Sequence, residues 1–256
     1  MEKSRKTIES VNRTLAILDL FERDTPELGI TEIARRINLP KSTVAGLVYT
    51  LESWGYLVRE PESRKYRLGL RLVERATVAL SQFDVIQSAS PHLEQLVTLH
   101  HKSVNLGILD GTEILCVDNI SVYTPYRGTR IGLRLAVHAT AMGKAILSAL
   151  TPNHLDEVLT RLSFPRFTPR TILDRTALLN DLHLTRQRGF ALDNAESAPG
   201  IGAIAAPIFN WRGQVLAAVS MAMPYPQFSP ESQAQWSKDI RTTAAYISRS
   251  LGAVNR

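Results

Sequence analysis

The chain has 256 residues, 44% apolar and 21% charged, enough to bury one large or two modest cores. Its net charge is +6, and the cationic excess is densest in the first 75 residues, which tilts the chain toward an acidic partner. The single cysteine, Cys116, excludes an internal disulfide framework and fits a reducing compartment. No apolar run approaches the ~18 residues of a membrane span, and the polar start MEKSRKTIES lacks a signal-peptide core. The expectation is a soluble, cytoplasmic protein with no membrane partner.

Residues 8 to 22 place Ile8, Val11, Leu15, Leu18 and Phe21 at helical spacing, one apolar stripe. Pro26 and Gly29 break the chain. Thr31 can cap a second helix, whose inward face is Ile33, Ala34 and Ile37. Asn-Leu-Pro stops it, and Pro40 fits only a first turn, so a third helix starts near Lys41. There Val44, Leu47, Val48 and Leu51 fall on one side, while Lys41, Ser42, Ala45, Gly46, Tyr49 and Thr50 face away. Two short helices with a cationic, hydroxyl-bearing outer face make a helix-turn-helix whose last helix fits a major groove. Tyr56 to Arg59 and Lys65 to Leu68 then read as a hairpin, a wing whose Arg59, Arg64, Lys65 and Arg67 would meet phosphates. The predicted DNA-facing set is Thr31, Lys41, Ser42, Thr43, Ala45, Gly46, Tyr49, Thr50, Arg64 and Lys65.

Leu68 to Leu80 is helical, with Leu72, Ala76 and Ala79 on one side and no sheet of its own to cover. Ser-Gln-Phe-Asp interrupts it before a helix over 85–101 with Ile86, Leu93, Leu96, Val97 and His100 as its stripe. The period then changes: VNLGILDGTEILCVD is two strands joined at Asp110-Gly111. Helices are predicted at 140–150, 153–162 and 174–188, strands at 190–193, 203–209 and 214–222. A last helix opens at Ser229-Pro230, with Trp236, Ile240, Ala244, Ile247 and Leu251 buried. Hairpins around a block of helices, with helices at both ends, describe an α+β fold with an antiparallel sheet. In HATAMGKA, Thr140 is an N-cap, and Ala141, Met142 and Gly143 leave an open helix start suited to a carboxylate. Asp193 and Ser220, at or in strands, oppose it with groups for a ligand hydroxyl or carbonyl. Arg127, Arg130 and Arg134 read as a solvated rim. His100-His101 lacks metal spacing, Cys116 reads as a buried inert thiol, and no P-loop, nucleophile elbow or zinc helix occurs. No cofactor, metal or catalytic residue is expected.

The chain resembles the isocitrate-lyase-regulator (IclR) family of bacterial transcription regulators. The resemblance is carried by LAILDLF, TEIARRINLPKSTVAGLVYTLESWGYL, YRLGLRL, HATAMGKAIL, RGFALDNAE, GIGAIAAPIF and LAAVSMA, in that order over residues 8 to 250. It implies a winged helix-turn-helix over 1–70, a linker helix over 71–84, a GAF-like effector domain over 85–256, and dimers or tetramers. It also implies that Leu135, Ala141, Met142, Asp193, Ile201, Ala203, Ser220 and Ala222 line an effector site. Family members often carry cysteine at 203 and serine at 222, and a larger polar residue at 45 and 46. Two alanines in the site leave room for a bulkier carboxylic acid, a sugar acid or an aromatic acid. The expected function is a repressor of a catabolic operon, bound to a double-stranded DNA operator and released by such an effector. The alternatives are an activator of the same kind, or an enzyme acting on a small acid.

Overall fold

The computed structural model describes residues 7–121 and 129–253, and Arg127 lies outside them. The chain divides into two compact units, Met1–Gln82 and Phe83–Arg256, at the predicted Ser-Gln-Phe-Asp break.

In the first unit α1 is Glu9–Leu18, α2 Ile30–Arg36 and α3 Lys41–Ser53. Strands β1 (Leu57–Arg59) and β2 (Tyr66–Leu68) pair antiparallel, Val58 opposite Arg67, and α4 (Arg71–Leu80) follows. Ile17, Leu28, Ile33, Val44, Val48, Leu51, Leu57 and Tyr66 form the core. Two expectations are corrected. Helix α2 begins a residue earlier than Thr31, with Gly29 at the N-cap position and no side-chain cap, because Leu28 is already tied to Tyr66 by a two-way backbone bridge. That bridge adds a third, one-residue rung to the hairpin, too short to show an alternating pattern in sequence. In α1 only Ile17 is buried; of the predicted apolar stripe, Leu18 and Phe21 pack against the core, while Ile8, Val11 and Leu15 are exposed. Helix α4 has no buried residue, in keeping with a helix that has no sheet of its own to cover, and Leu70, Val73 and Val78 in and before it stay exposed.

In the second unit α5 is Asp84–His100, β3 Ser103–Asp110, β4 Glu113–Ile120 and β5 Arg134–Ala136. Then come α6 (Ala141–Ala149), α7 (Pro152–Arg161), α8 (Arg175–Arg188), β6 (Ala191–Asn194), β7 (Ile201–Phe209), β8 (Val215–Pro224) and α9 (Pro230–Ser250). Among the described residues the strands form an antiparallel sheet of order β5-β4-β3-β8-β7-β6. Strand β5 has only three residues, which is why no alternation announces it. Helix α6 packs on β7, β8 and β6 and against α8, joined by Ala203, Ala205 and Ala218. Helices α5 and α9 pack on each other and on the sheet. The strand interiors are therefore apolar almost throughout, as sheets covered on both faces require. The result is the α+β architecture expected from the sequence.

Register decides what meets at the start of α6. Side chains alternate between faces along each strand. One row across the sheet reads Asn119, Asn105, Ser220, Ala205; the next reads Ser103, Ala222, Ala203, Asp193. Both rows cross the centre of the sheet.

Two helical glycines carry opposite packing demands. A Cβ on Gly143 would lie 2.2 Å from the Val137 carbonyl oxygen and 2.4 Å from its Cα, so this glycine lets α6 press on the preceding chain instead of holding the helix start open. A Cβ on Gly46 meets nothing within 4 Å. In urea denaturation, Gly143→Ala is therefore expected to destabilise the second unit by about 1–3 kcal/mol. Gly46→Ala is expected to stabilise the first by up to ~1 kcal/mol, through helix propensity alone.

Candidate DNA-binding face and effector cavity

Helix α3 keeps Val44, Val48 and Leu51 inward and turns Lys41, Ser42, Thr43, Gly46, Tyr49 and Thr50 outward. Tyr49 is 53% exposed, and Ala45 is half-buried between the two faces. The Thr50 hydroxyl bonds back to the Gly46 carbonyl, so only its remaining acceptor capacity points outward. Pro40 occupies the N-cap and no side chain caps the helix, so the first amide groups of α3 are open to an anion. Thr31 is exposed in the first turn of α2 and caps nothing.

On the wing, Arg64 adopts φ 54 at the hairpin tip, where its amide bonds the Glu60 carbonyl, and Lys65 beside it is exposed. Among the described residues neither these two nor Lys41 has an ion-pair partner. Arg67 differs: it is ion-paired to Glu60, which lowers its availability to phosphate.

The second unit carries a cavity of about 370 Å³, open side included, over the two polar rows of the sheet. All eight residues expected at the effector site line it: Leu135, Ala141, Met142, Asp193, Ile201, Ala203, Ser220 and Ala222. Asn105, Thr129, Thr140 and Ser197 line it too, and neither Asn105 nor Ser197 stands out in the sequence as a site residue. Asn105 sits within a strand whose pattern is apolar, and its position depends on the β3–β8 register, which one strand's sequence does not state.

The polar atoms are oriented by their neighbours. The Asn119 amide nitrogen donates to the Asn105 carbonyl oxygen at 2.6 Å, which turns the Asn105 amino group toward Ser220 Oγ at 3.3 Å. With its oxygen accepting there, the Ser220 hydroxyl is left to donate. Across the cavity Thr140 Oγ caps α6 by accepting from the Gly143 amide at 3.2 Å. The amides of Ala141 and Met142 have no protein partner among the described residues. Asp193 closes a turn: its carboxylate accepts the Glu196 amide at 2.7 Å and the Ser197 amide and hydroxyl. Burial pushes its pKa up to about 6 against those hydrogen bonds.

The other wall of the cavity is held by a charge pair that no sequence motif marks. Lys144, one turn into α6, is fully buried, and its Nζ lies 2.8 and 2.7 Å from the two carboxylate oxygens of Glu196. Asp181 of α8 adds a contact at 3.2 Å. Burial raises the Glu196 pKa and Lys144 opposes that shift. Thr171 and Thr168 donate to the carbonyls of Glu196 and Ala195, completing a clasp on the turn. The one available signal is a lysine inside AMGKAILSA, a helix otherwise of small and apolar residues.

The remaining candidates are structural. Cys116 is buried, and desolvation pushes its thiol up to about 11. His100 faces Asp239 at 3.1 Å, and Arg134 pairs with Asp110 and Glu113 at the surface. Among the described residues no group of three or more His, Cys, Asp or Glu could hold a metal ion, and no helix is long and apolar enough to cross a membrane.

A helix-turn-helix with an open outer face, joined in one chain to a unit whose cavity is lined by a bare helix start and buried polar groups, defines a ligand-responsive DNA-binding regulator. Comparison with known proteins gives it a family. Residues 10–61 match the IclR helix-turn-helix domain, and residues 77–249 match the C-terminal domain of the bacterial transcriptional regulator IclR. The chain is 37% identical over 246 residues to the HTH-type transcriptional regulator XynR of Escherichia coli K12, covering 96% of this chain and 98% of that one. It is 27% identical over 250 residues to the E. coli K12 HTH-type transcriptional repressor AllR, covering 97% and 92%. A crystal structure of an IclR homolog from Microbacterium hydrocarbonoxydans complexed with 4-hydroxybenzoate superposes with a TM-score of 0.82 at 29% identity, covering 95% and 99%. The chain belongs to the IclR family of bacterial transcriptional regulators. These relatives are regulators, which points away from an enzyme.

Removing one partner of a buried ion pair strands the other charge. Lys144→Met is therefore expected to cost about 3–5 kcal/mol in thermal or urea unfolding. Lys144→Met with Glu196→Leu is expected to recover much of that loss, since no uncompensated charge remains in the pair.

Proposed function

We propose that the protein represses a catabolic operon by holding α3 in the major groove of its operator, and that a small organic acid in the cavity releases it. The observation that carries the reading is the convergence of a bare helix start, Asp193 and Ser220 on one cavity. The free amides of Ala141 and Met142 suit a carboxylate. Ser220 and Asn105 suit an acceptor group at the ligand's other end. The small side chains of Ala203 and Ala222 favour a sugar acid or an aromatic acid, and the family member complexed with 4-hydroxybenzoate supports that size class. Repression is favoured because a relative of the same architecture is a repressor.

The exposed apolar residues of α1 and α4, among them Ile8, Val11, Leu15, Val73 and Val78, support a dimer in which they are covered by a second copy. Two recognition helices would then read half-sites about 34 Å apart or a multiple of that. The ligand acts by differential affinity for the DNA-fitting and non-fitting arrangements, since equal affinity shifts nothing.

Gel-shift with the DNA upstream of the protein's own gene tests the first half. Specific binding is expected. Lys41→Ala with Lys65→Ala is expected to weaken it and to reduce the salt slope by about 2, near 0.9 for each phosphate no longer neutralised. An unchanged slope removes the docking face. For the cavity, Asp193 carries a folded pKa raised above the carboxylate norm, so it is neutral below about 6 and charged above. An anionic ligand beside it is repelled only by the charged form. Its affinity should rise as pH falls from above 6 to below it, and lose that rise in Asp193→Asn, by calorimetry. Flat pH dependence in the wild type would remove Asp193 from the ligand's vicinity.

A further inference from the structure

The second unit has another concavity, built by the end of α6, the start of α7, the C-terminal part of α8, the β7–β8 turn and one face of α9. Its volume of about 1360 Å³ exceeds the ~300–1,000 Å³ of sites for small molecules. Its charge is one-sided. Arg186, Arg212, Lys238, Arg241 and Arg249 line it, and among the described lining residues there is no Asp or Glu.

These cations are not compensated from elsewhere. None of the five has an ion-pair partner among the described residues. Arg186 donates through Nε to the Ser148 carbonyl at 2.8 Å, which leaves its terminal amino groups outward. Arg212 lies over the Trp211 ring at 4.5 Å and Arg249 over the Tyr246 ring at 4.7 Å. Of the carboxylates on the flanking helices, Asp156 is paired with Arg175 and Asp181 with Lys144.

Helix periodicity organises the row. On α9, Trp236, Ile240, Ala244 and Ile247 turn to the core. Lys238, Arg241 and Arg249 share the opposite side with Thr242 and Ala245 between them, so small side chains form a trough edged by cations. The floor includes Leu150, Leu155, Pro207 and Phe209, which is apolar. A groove lined by one sign of charge over low-dielectric walls focuses its field outward.

We propose that this groove docks an acidic segment of a partner protein, one that carries apolar side chains among its carboxylates. Nucleic acid fits less well. A single strand needs aromatic platforms for its bases, and the one tryptophan lining the groove already carries an arginine on its ring. A duplex gains nothing from an apolar floor, whereas a peptide's apolar side chains can fill it while its carboxylates meet the rim. The surface is independent of the effector cavity, with which it shares no lining residue.

The test is fluorescence anisotropy of a labelled Glu-Glu-Leu repeat peptide against the full chain. Saturable binding is expected, weakened by roughly tenfold or more in Lys238→Glu with Arg241→Glu. Arg161→Glu with Arg166→Glu, an equal charge change on exposed residues outside the groove, should leave affinity within about twofold. The neutral pair Lys238→Gln with Arg241→Gln should weaken binding in the same direction, with circular dichroism unchanged. No binding by the wild type would overturn the proposal, as would equal loss in both reversal pairs or equal affinity for poly-glutamate without leucine. So would a changed subunit number by sedimentation in the Lys238/Arg241 variants with peptide affinity intact, which would assign the groove to a second copy.

Discussion

The contact on which the second unit's site depends is the buried pair between Lys144 and Glu196. One partner stands on α6, whose first turn forms one wall of the cavity; the other stands on the turn after β6 that forms the opposing wall. An ammonium and a carboxylate taken out of water are costly, and that cost is offset only while both sit in one geometry. The pair therefore fixes the separation between the open amides of α6 and the Asp193–Ser197 turn. Such a pair adds little net stability over an apolar replacement. What it adds here is position: each of the two cavity walls carries one partner of the pair.

The same logic, stated through packing, applies to the first unit. Val44, Val48 and Leu51 anchor α3 to Ile17, Ile33 and Leu57, so the opposite side of the helix is free by construction. A proline at the N-cap position ends α2's influence and leaves the first amides of α3 without a side-chain cap. Small and hydroxyl-bearing residues on that side cost nothing in core packing. Apolar residues on α1 and α4, among them Val11, Leu15, Val73 and Val78, also stay exposed.

Much of this is legible in the sequence because it rests on local rules. Helix starts at Lys41, Thr140, Asp174 and Ser229 follow from proline placement and capping residues, and the Asp110-Gly111 hairpin from turn chemistry. What is not legible depends on register and on long-range pairing. Asn105 reaches the cavity because it faces Ser220 from the neighbouring strand, and Glu196 reaches Lys144 across 52 positions. The apolar stripe expected at 8–21 is covered only at Leu18 and Phe21 for a related reason: periodicity finds an apolar face but not what covers it. The cap expected of Thr31 fails because the Leu28–Tyr66 bridge sets where α2 begins.

If the Lys144–Glu196 pair holds the Asp193 turn in place, its loss loosens the amides of that turn. Amide hydrogen exchange in Glu196→Gln tests it most directly, because the amides of residues 196 and 197 are bonded to the Asp193 carboxylate. Exchange at those two amides should accelerate by about tenfold or more, the loss of a charge-assisted bond, while α3 amides keep their rates. Unchanged protection across residues 193–197 would contradict the account, because the cavity wall would then stand without its ion pair.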